Sequence, residues 1–236
     1  MKPRNRSLTG AVIAVLVLPV FAGLLACMPS FPVPIGNPEK SRIDADISGM
    51  WITSDGSQTM IHLYVPYDKR TWLLTTYGIE IDEELCSDED FETAEDLLTY
   101  NQIIVNFEGK PDSCFEVRGS WIAKAWLTKL GGERFITMEL KNYYVEDLGY
   151  EVDEWLVHRV DLISPDVLRL RWLGADQEGF ENIDKTKATR RQYEKIIRKQ
   201  PDNPKFYSDD PWELHRVKSE DMEIFTDLIE RLFDIL

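Results

Sequence analysis

Cysteine and histidine are both scarce in this chain, with three of each among 236 residues. So few cysteines exclude a disulfide-dense scaffold, and the histidines form no His-Glu-x-x-His, His-x-His or Cys-His arrangement of a zinc enzyme. A Gly-x-Ser-x-Gly elbow, a phosphate-cradling glycine loop and a dinucleotide fingerprint are also missing. The sequence therefore predicts no catalytic residue, no metal site and no cofactor, and an enzyme is the less favoured interpretation.

Basic residues are also fewer than acidic ones. The chain has 27 basic and 42 acidic residues, which gives a net charge of −15. Such a chain repels nucleic acid at long range, so a general DNA- or RNA-binding role is excluded. The acidic surface suits a cationic protein partner, although solubility is the ordinary explanation for it.

The N-terminus has no acidic residue before Glu39. Lys2, Arg4 and Arg6 precede an apolar run of 19 residues, 8–26. A basic start, an apolar stretch and a small residue before the cleavage point are typical of a secretory signal peptide. A run of this length is also near the minimum that spans a bilayer, so an uncleaved membrane anchor and ordinary secretion stay open as alternatives.

The end of that run, Leu24-Leu25-Ala26-Cys27, resembles the lipobox of bacterial lipoproteins, with Leu25 bulkier than is usual at its position. The resemblance implies cleavage after Ala26 and a lipid, palmitate included, on Cys27. The rest of the chain would then be extracytoplasmic and held to the membrane of the cell envelope. Met28 stands where an Asp would retain a lipoprotein in the inner membrane, so the outer membrane is expected if the source is Gram-negative.

The remaining cysteines are Cys86 and Cys114. In an oxidising compartment an isolated pair predicts a disulfide bond. In a loop-closure model that bond would stabilise the fold by roughly 3–4 kcal/mol.

The predicted domain organisation has four consecutive parts. A signal peptide (1–26) precedes the lipidated cysteine and a stiff proline-rich tether (27–43). An antiparallel β-barrel (44–175) comes next, and a helical C-terminal extension (176–236) ends the chain.

Short alternating segments joined by turns fill the predicted barrel. The clearest is 114–127, where Phe115, Val117 and Trp121 share one face with other apolar residues. Eight antiparallel strands of this kind predict a mainly β fold, an up-and-down barrel or a tightly rolled sandwich. The predicted strands are 47–53, 59–65, 70–77, 102–108, 114–127, 134–143, 155–163 and about 168–172.

Gly49-Met50-Trp51 in the first predicted strand resembles the Gly-x-Trp motif of lipocalins. In that family the Trp closes one end of the barrel, and a basic residue late in the fold packs over it. The resemblance implies a lipocalin-like barrel in which Arg169 or Arg171 covers Trp51. Barrels of this size hold one small apolar molecule or are filled by side chains.

Two helices are predicted after the barrel. The first, 183–199, is strongly basic and could meet lipid headgroups or an anionic polymer, although a solvated face is the more ordinary explanation. The second starts at Ser219 and carries an apolar stripe that includes Phe225.

These features favour a membrane-tethered binding module for a small apolar ligand or a protein partner. The alternative is a structural or inhibitory envelope protein that acts through surface contacts.

Overall fold

The structure, a computed structural model, describes residues 30–54, 59–81, 115–144, 155–175, 177–207, 211–223 and 225–226. Within these ranges eight antiparallel strands form a closed barrel in which neighbours along the chain are neighbours in the sheet. The predicted mainly β fold, an eight-stranded up-and-down barrel, is confirmed. The elements are β1 (Gly49–Ser54), β2 (Thr59–Pro66), β3 (Thr71–Ile81), β4 (Phe115–Leu130), β5 (Glu133–Tyr144), β6 (Trp155–Ser164), β7 (Val167–Leu173), α1 (Arg190–Lys199) and β8 (Trp212–Arg216).

The barrel encloses an apolar core because inward and outward side chains alternate along each strand. On β7, Leu168, Leu170 and Trp172 are buried in that core, while Arg169 and Arg171 point to the other side. The main core cluster is Ile47, Trp51, Tyr64, Trp72, Leu74, Ala123, Ala125, Leu127, Ile136, Met138, Leu156, Val160, Leu168, Leu170, Trp172 and Leu214.

The last strand closes the barrel by pairing with β7 on one side and with β1 on the other. The predicted boundary between a barrel at 44–175 and a helical extension at 176–236 is therefore wrong. The extension supplies β8, which pairs Trp51 with Arg216 and Ile52 with His215. Seven predicted strands correspond to β1–β7, and the remaining one, 102–108, lies outside the described residues.

The segment before β1 packs against the barrel wall and corrects the prediction of a tether over 27–43. Phe31 forms an antiparallel bridge with Trp155, with backbone N–O distances of 2.9 and 3.2 Å. The carbonyl oxygen of Ile35 accepts a hydrogen bond of 2.9 Å from the indole nitrogen of Trp126. Phe31 and Ile35 are both fully buried, because the apolar residues between the prolines face the wall. The folded domain thus includes this segment from residue 30 onward.

A second apolar cluster holds α1 on the outside of the barrel. Its centre is formed by Phe31, Phe180 and Tyr193, whose rings meet edge to face at centroid distances of 5.0–5.9 Å. The helix ends at Lys199 as predicted but begins at Arg190, seven residues late, because Asp184 caps a short 3-10 turn there instead.

Arg159 fixes the chain that follows α1 onto the outer wall of β6. Its guanidinium donates to Asp202 at 2.6 Å, to Glu133 at 2.9 Å and to the Pro201 carbonyl at 3.1 Å. Burial acts to lower the pKa of Arg159, but the hydrogen bond to Asp202 and the charge of Asp161 outweigh it and raise the pKa above its usual value. Arg159 therefore stays charged and holds the path from α1 to β8.

Of the predicted second C-terminal helix, residues 222–223 and 225–226 are helical, and Phe225 is fully buried. The rest of that prediction lies outside the described residues, as does the signal peptide over 1–26. No helix among the described residues is long and apolar enough to span a membrane.

Candidate functional site

One end of the barrel, called here the plugged end, is closed by Trp51. Its ring is fully buried, and its indole nitrogen donates to the Ile47 carbonyl at 2.8 Å. The guanidinium carbon of Arg216 lies 4.1 Å from the centre of that ring. Arg216 also donates to the backbone carbonyls of Ser48 and Pro165, both at 2.9 Å. This arginine therefore joins the plug to the turn between β6 and β7.

Gly49 allows that arrangement. Its φ of +122° is one that L side chains rarely adopt, and a Cβ there would lie 3.1 Å from Nη1 of Arg216. Any larger residue would both strain the backbone and crowd the arginine.

Arg169 and Arg171 do not cover Trp51, so the expectation that one of them would is wrong. Both stand on the outer face of β7, where Arg169 pairs with Glu213 and Arg171 donates to Asp161 at 2.6 Å. The alternation that buries Leu168, Leu170 and Trp172 turns the two arginines away from the barrel interior. Arg216, at the end of the unpredicted β8, takes the role instead.

Two histidines face the barrel interior, His62, the β-ladder partner of Trp51, and His158, the partner of Trp172, and this part of the core is the candidate functional site. His158 packs 4.0 Å from the Trp172 ring and 6.2 Å from the Trp212 ring, and His62 lies 5.9 Å from Trp212. The two tryptophans meet edge to face at 4.8 Å. Trp212 is only half-buried, at the first position of β8. The two imidazoles are thus buried against an aromatic cluster of Trp172 and Trp212.

The site contains polar atoms that the protein does not satisfy. His62 Nδ1 is 3.0 Å from the Thr76 hydroxyl, but its Nε2 is buried without a partner among the described residues. Both ring nitrogens of His158 are likewise buried without a partner among the described residues. More than nine in ten buried polar groups in proteins are hydrogen-bonded, and each exception costs about 1–3 kcal/mol. The free nitrogens of these histidines are hydrogen-bonding positions that a ligand or a bound water can fill.

Both imidazoles are neutral at physiological pH. Burial lowers the pKa of His62 to about 3. Burial and then the nearby His62 lower the pKa of His158 to about 3. A neutral imidazole offers one N–H donor and one acceptor nitrogen, so His158 can receive a ligand through either kind of hydrogen bond.

The sequence analysis missed this site, although a signal was present. His62 stands two residues before the buried Tyr64, and His158 stands midway between the buried Leu156 and Val160. Strand periodicity alone places both on inward faces.

The other predicted site residues fall elsewhere. Cys27, Cys86 and Cys114 lie outside the described residues, so the lipid attachment and the disulfide remain predictions. No group of three or more His, Cys, Asp or Glu residues that could hold a metal occurs in the described part of the chain.

Comparisons with protein-family models, with curated proteins and with solved structures found no match. The candidate site is therefore interpreted from its own geometry.

Proposed function

We propose that the chain is a membrane-tethered, extracytoplasmic binding protein whose barrel interior takes a small, mostly apolar, uncharged molecule. The unsatisfied nitrogens of His158, buried against Trp172, support this most directly. A ligand with one hydrogen-bonding group would satisfy them, while its apolar part would contact the tryptophans. An uncharged ligand fits because both imidazoles are neutral and a buried unpaired charge is costly.

The binding test uses 5-fluoroindole, a soluble apolar probe with one N–H group, followed by ¹⁹F NMR on the full-length chain in detergent. We expect saturable binding above the detergent background. His158→Phe should weaken it at least about tenfold, which corresponds to roughly 1.4 kcal/mol, because the hydrogen-bonding atoms are lost. The same variant should be at least as stable as the parent, since it removes an unsatisfied buried polar group.

His215→Phe is the matched control. His215 is exposed on β8, so the same exchange there should change the affinity by less than about twofold. No binding above background, or equal weakening in both variants, would contradict an interior site.

The membrane tether is proposed from the sequence around Cys27. In a bacterial host grown with labelled palmitate, the parent chain should become labelled and Cys27→Ala should lose the label completely. Cys86→Ala is the control and should keep it. Unchanged labelling of the Cys27 variant would rule out the lipid attachment.

A further inference from the structure

A groove on the outer wall of the barrel, on a different surface from the proposed ligand site, concentrates positive charge. It lies between residues 36–45, the end of β4 and the exposed side of α1, and it has a volume of about 810 Å³. That volume is within the range of small-molecule sites, roughly 300–1,000 Å³. Six cationic side chains line it: Lys40, Arg42, Lys129, Arg190, Arg191 and Arg198.

The two acidic residues in the groove are already engaged. Glu194 accepts a hydrogen bond of 3.0 Å from the Gly36 amide and lies within 3.6–3.9 Å of Arg190 and Arg198. Asp44 pairs with Arg134 at 3.1 Å. Within the described part of the chain, no ion pair is formed by Lys40, Arg42, Lys129 or Arg191. The groove therefore carries uncompensated positive charge on a chain whose net charge is −15.

The walls of the groove are held in place. Arg190 donates to the Gly36 carbonyl at 2.9 Å, which ties the start of α1 to the N-terminal segment. Gly36 has a φ of +78°, and a Cβ there would lie 1.7 Å from the Thr128 hydroxyl oxygen, so the segment approaches β4 as closely as a glycine permits. The Ser41 hydroxyl donates to the Leu127 carbonyl at 2.7 Å. The cations therefore extend from a fixed frame.

We infer that this groove binds an anion bearing phosphate groups, such as a diphosphate or a phospholipid headgroup. Like charges are gathered there in a concave site, which focuses the attraction for an anion. Arginine pairs with phosphate oxygens through two parallel hydrogen bonds, and a phosphate group carries more charge and more acceptor oxygens than a carboxylate. The four cations that form no ion pair with a described residue match an anion of more than one charge.

Isothermal titration calorimetry of the full-length chain at about 150 mM salt tests the inference with two soluble titrants. Inorganic pyrophosphate represents a soluble phosphate ligand, and glycerophosphoglycerol represents a lipid headgroup. We expect saturable binding of at least one, and the tighter titrant identifies the source of the ligand. Arg191→Glu combined with Lys129→Glu should weaken that binding at least about tenfold. Both residues are exposed, so the fold should tolerate the change.

Lys195→Glu combined with Lys199→Glu is the control, because both residues are exposed on α1 outside the groove and the change in net charge is the same. At this salt concentration charges are screened beyond about 8 Å, so the control should lose less than about threefold. Absence of saturable binding for both titrants, or equal weakening in the two double variants, would overturn the inference. Neither result would affect the 5-fluoroindole test, which concerns the barrel interior.

Discussion

Lowering the pH from 6.5 to about 4 is expected to reduce the free energy of unfolding by about 6 kcal/mol through His62 and His158 alone. Both have a pKa of about 3 in the folded chain, against an ordinary value of 6.5. Below pH 6.5 the unfolded chain takes up two protons that the folded chain cannot accept. The contribution of these two histidines to the free energy of unfolding is therefore complete above pH 6.5 and is lost as the pH falls toward 3.

Urea unfolding followed by tryptophan fluorescence at several pH values measures this loss. Combining His62→Gln with His158→Phe should remove most of the slope between pH 6.5 and 4, because the titrating groups are gone. His215→Gln is the matched exchange at an exposed position on β8, outside the barrel interior. A double variant with the slope of the parent would show that other groups cause the acid sensitivity.

Trp51→Ala is expected to lower the free energy of unfolding by about 3–5 kcal/mol at neutral pH. The ring is fully buried at the plugged end, and its removal leaves a cavity beneath Arg216. Trp51→Phe keeps most of the apolar contact but loses the hydrogen bond to Ile47, so it should cost less. Urea unfolding of both variants gives the comparison.

Replacing Arg216 by alanine tests its role at the plugged end, and replacing Arg169 by alanine is the control. Arg216→Ala should cost about 2 kcal/mol, because hydrogen bonds to a charged group and the contact with Trp51 are lost. Arg169→Ala removes an exposed ion pair with Glu213 and should cost less than about 1 kcal/mol. Equal costs for the two arginines would contradict the assignment of Arg216 to the plug.

Most of the barrel was predictable because its strands repeat with a period of two. β7 shows this pattern, since Leu168, Leu170 and Trp172 are buried and the arginines between them are not. β6 instead buries 156–160 in succession, because its outer face is covered by the second apolar cluster and by the chain after α1. The closing strand was missed although Trp212-Glu213-Leu214-His215-Arg216 also alternates. It is five residues long and follows a linker rich in proline and aspartate, and its partner strand β1 lies about 160 positions earlier. The local sequence pattern therefore does not show that this segment pairs with β1.

Two further wrong assignments, the free tether and the arginine over Trp51, have physical causes. Prolines between residues 29 and 38 predicted a stiff, extended chain, but a proline-rich segment is equally compatible with a free tether and with a strip packed on a wall. Burial of Phe31 and Ile35 decides between them. For the arginine over Trp51, the two-residue alternation on β7 already places Arg169 and Arg171 on the outer face of the barrel. That alternation excludes both as contacts of the buried Trp51.

The pairing of the first strand with the last sets the order in which this molecule can fold. Arg216 bonds to the Ser48 carbonyl across 168 positions, and Gly36 bonds to Glu194 across 158. Contacts of such range make folding slow, because the intervening chain must be closed into a loop before they form. A chain delivered N-terminus first, as from a ribosome or through a membrane, keeps the edge of β1 unpaired until residues 212–216 arrive. Throughout that interval the exposed edge is open to wrong pairing, so the risk of aggregation lasts until residues 212–216 are available.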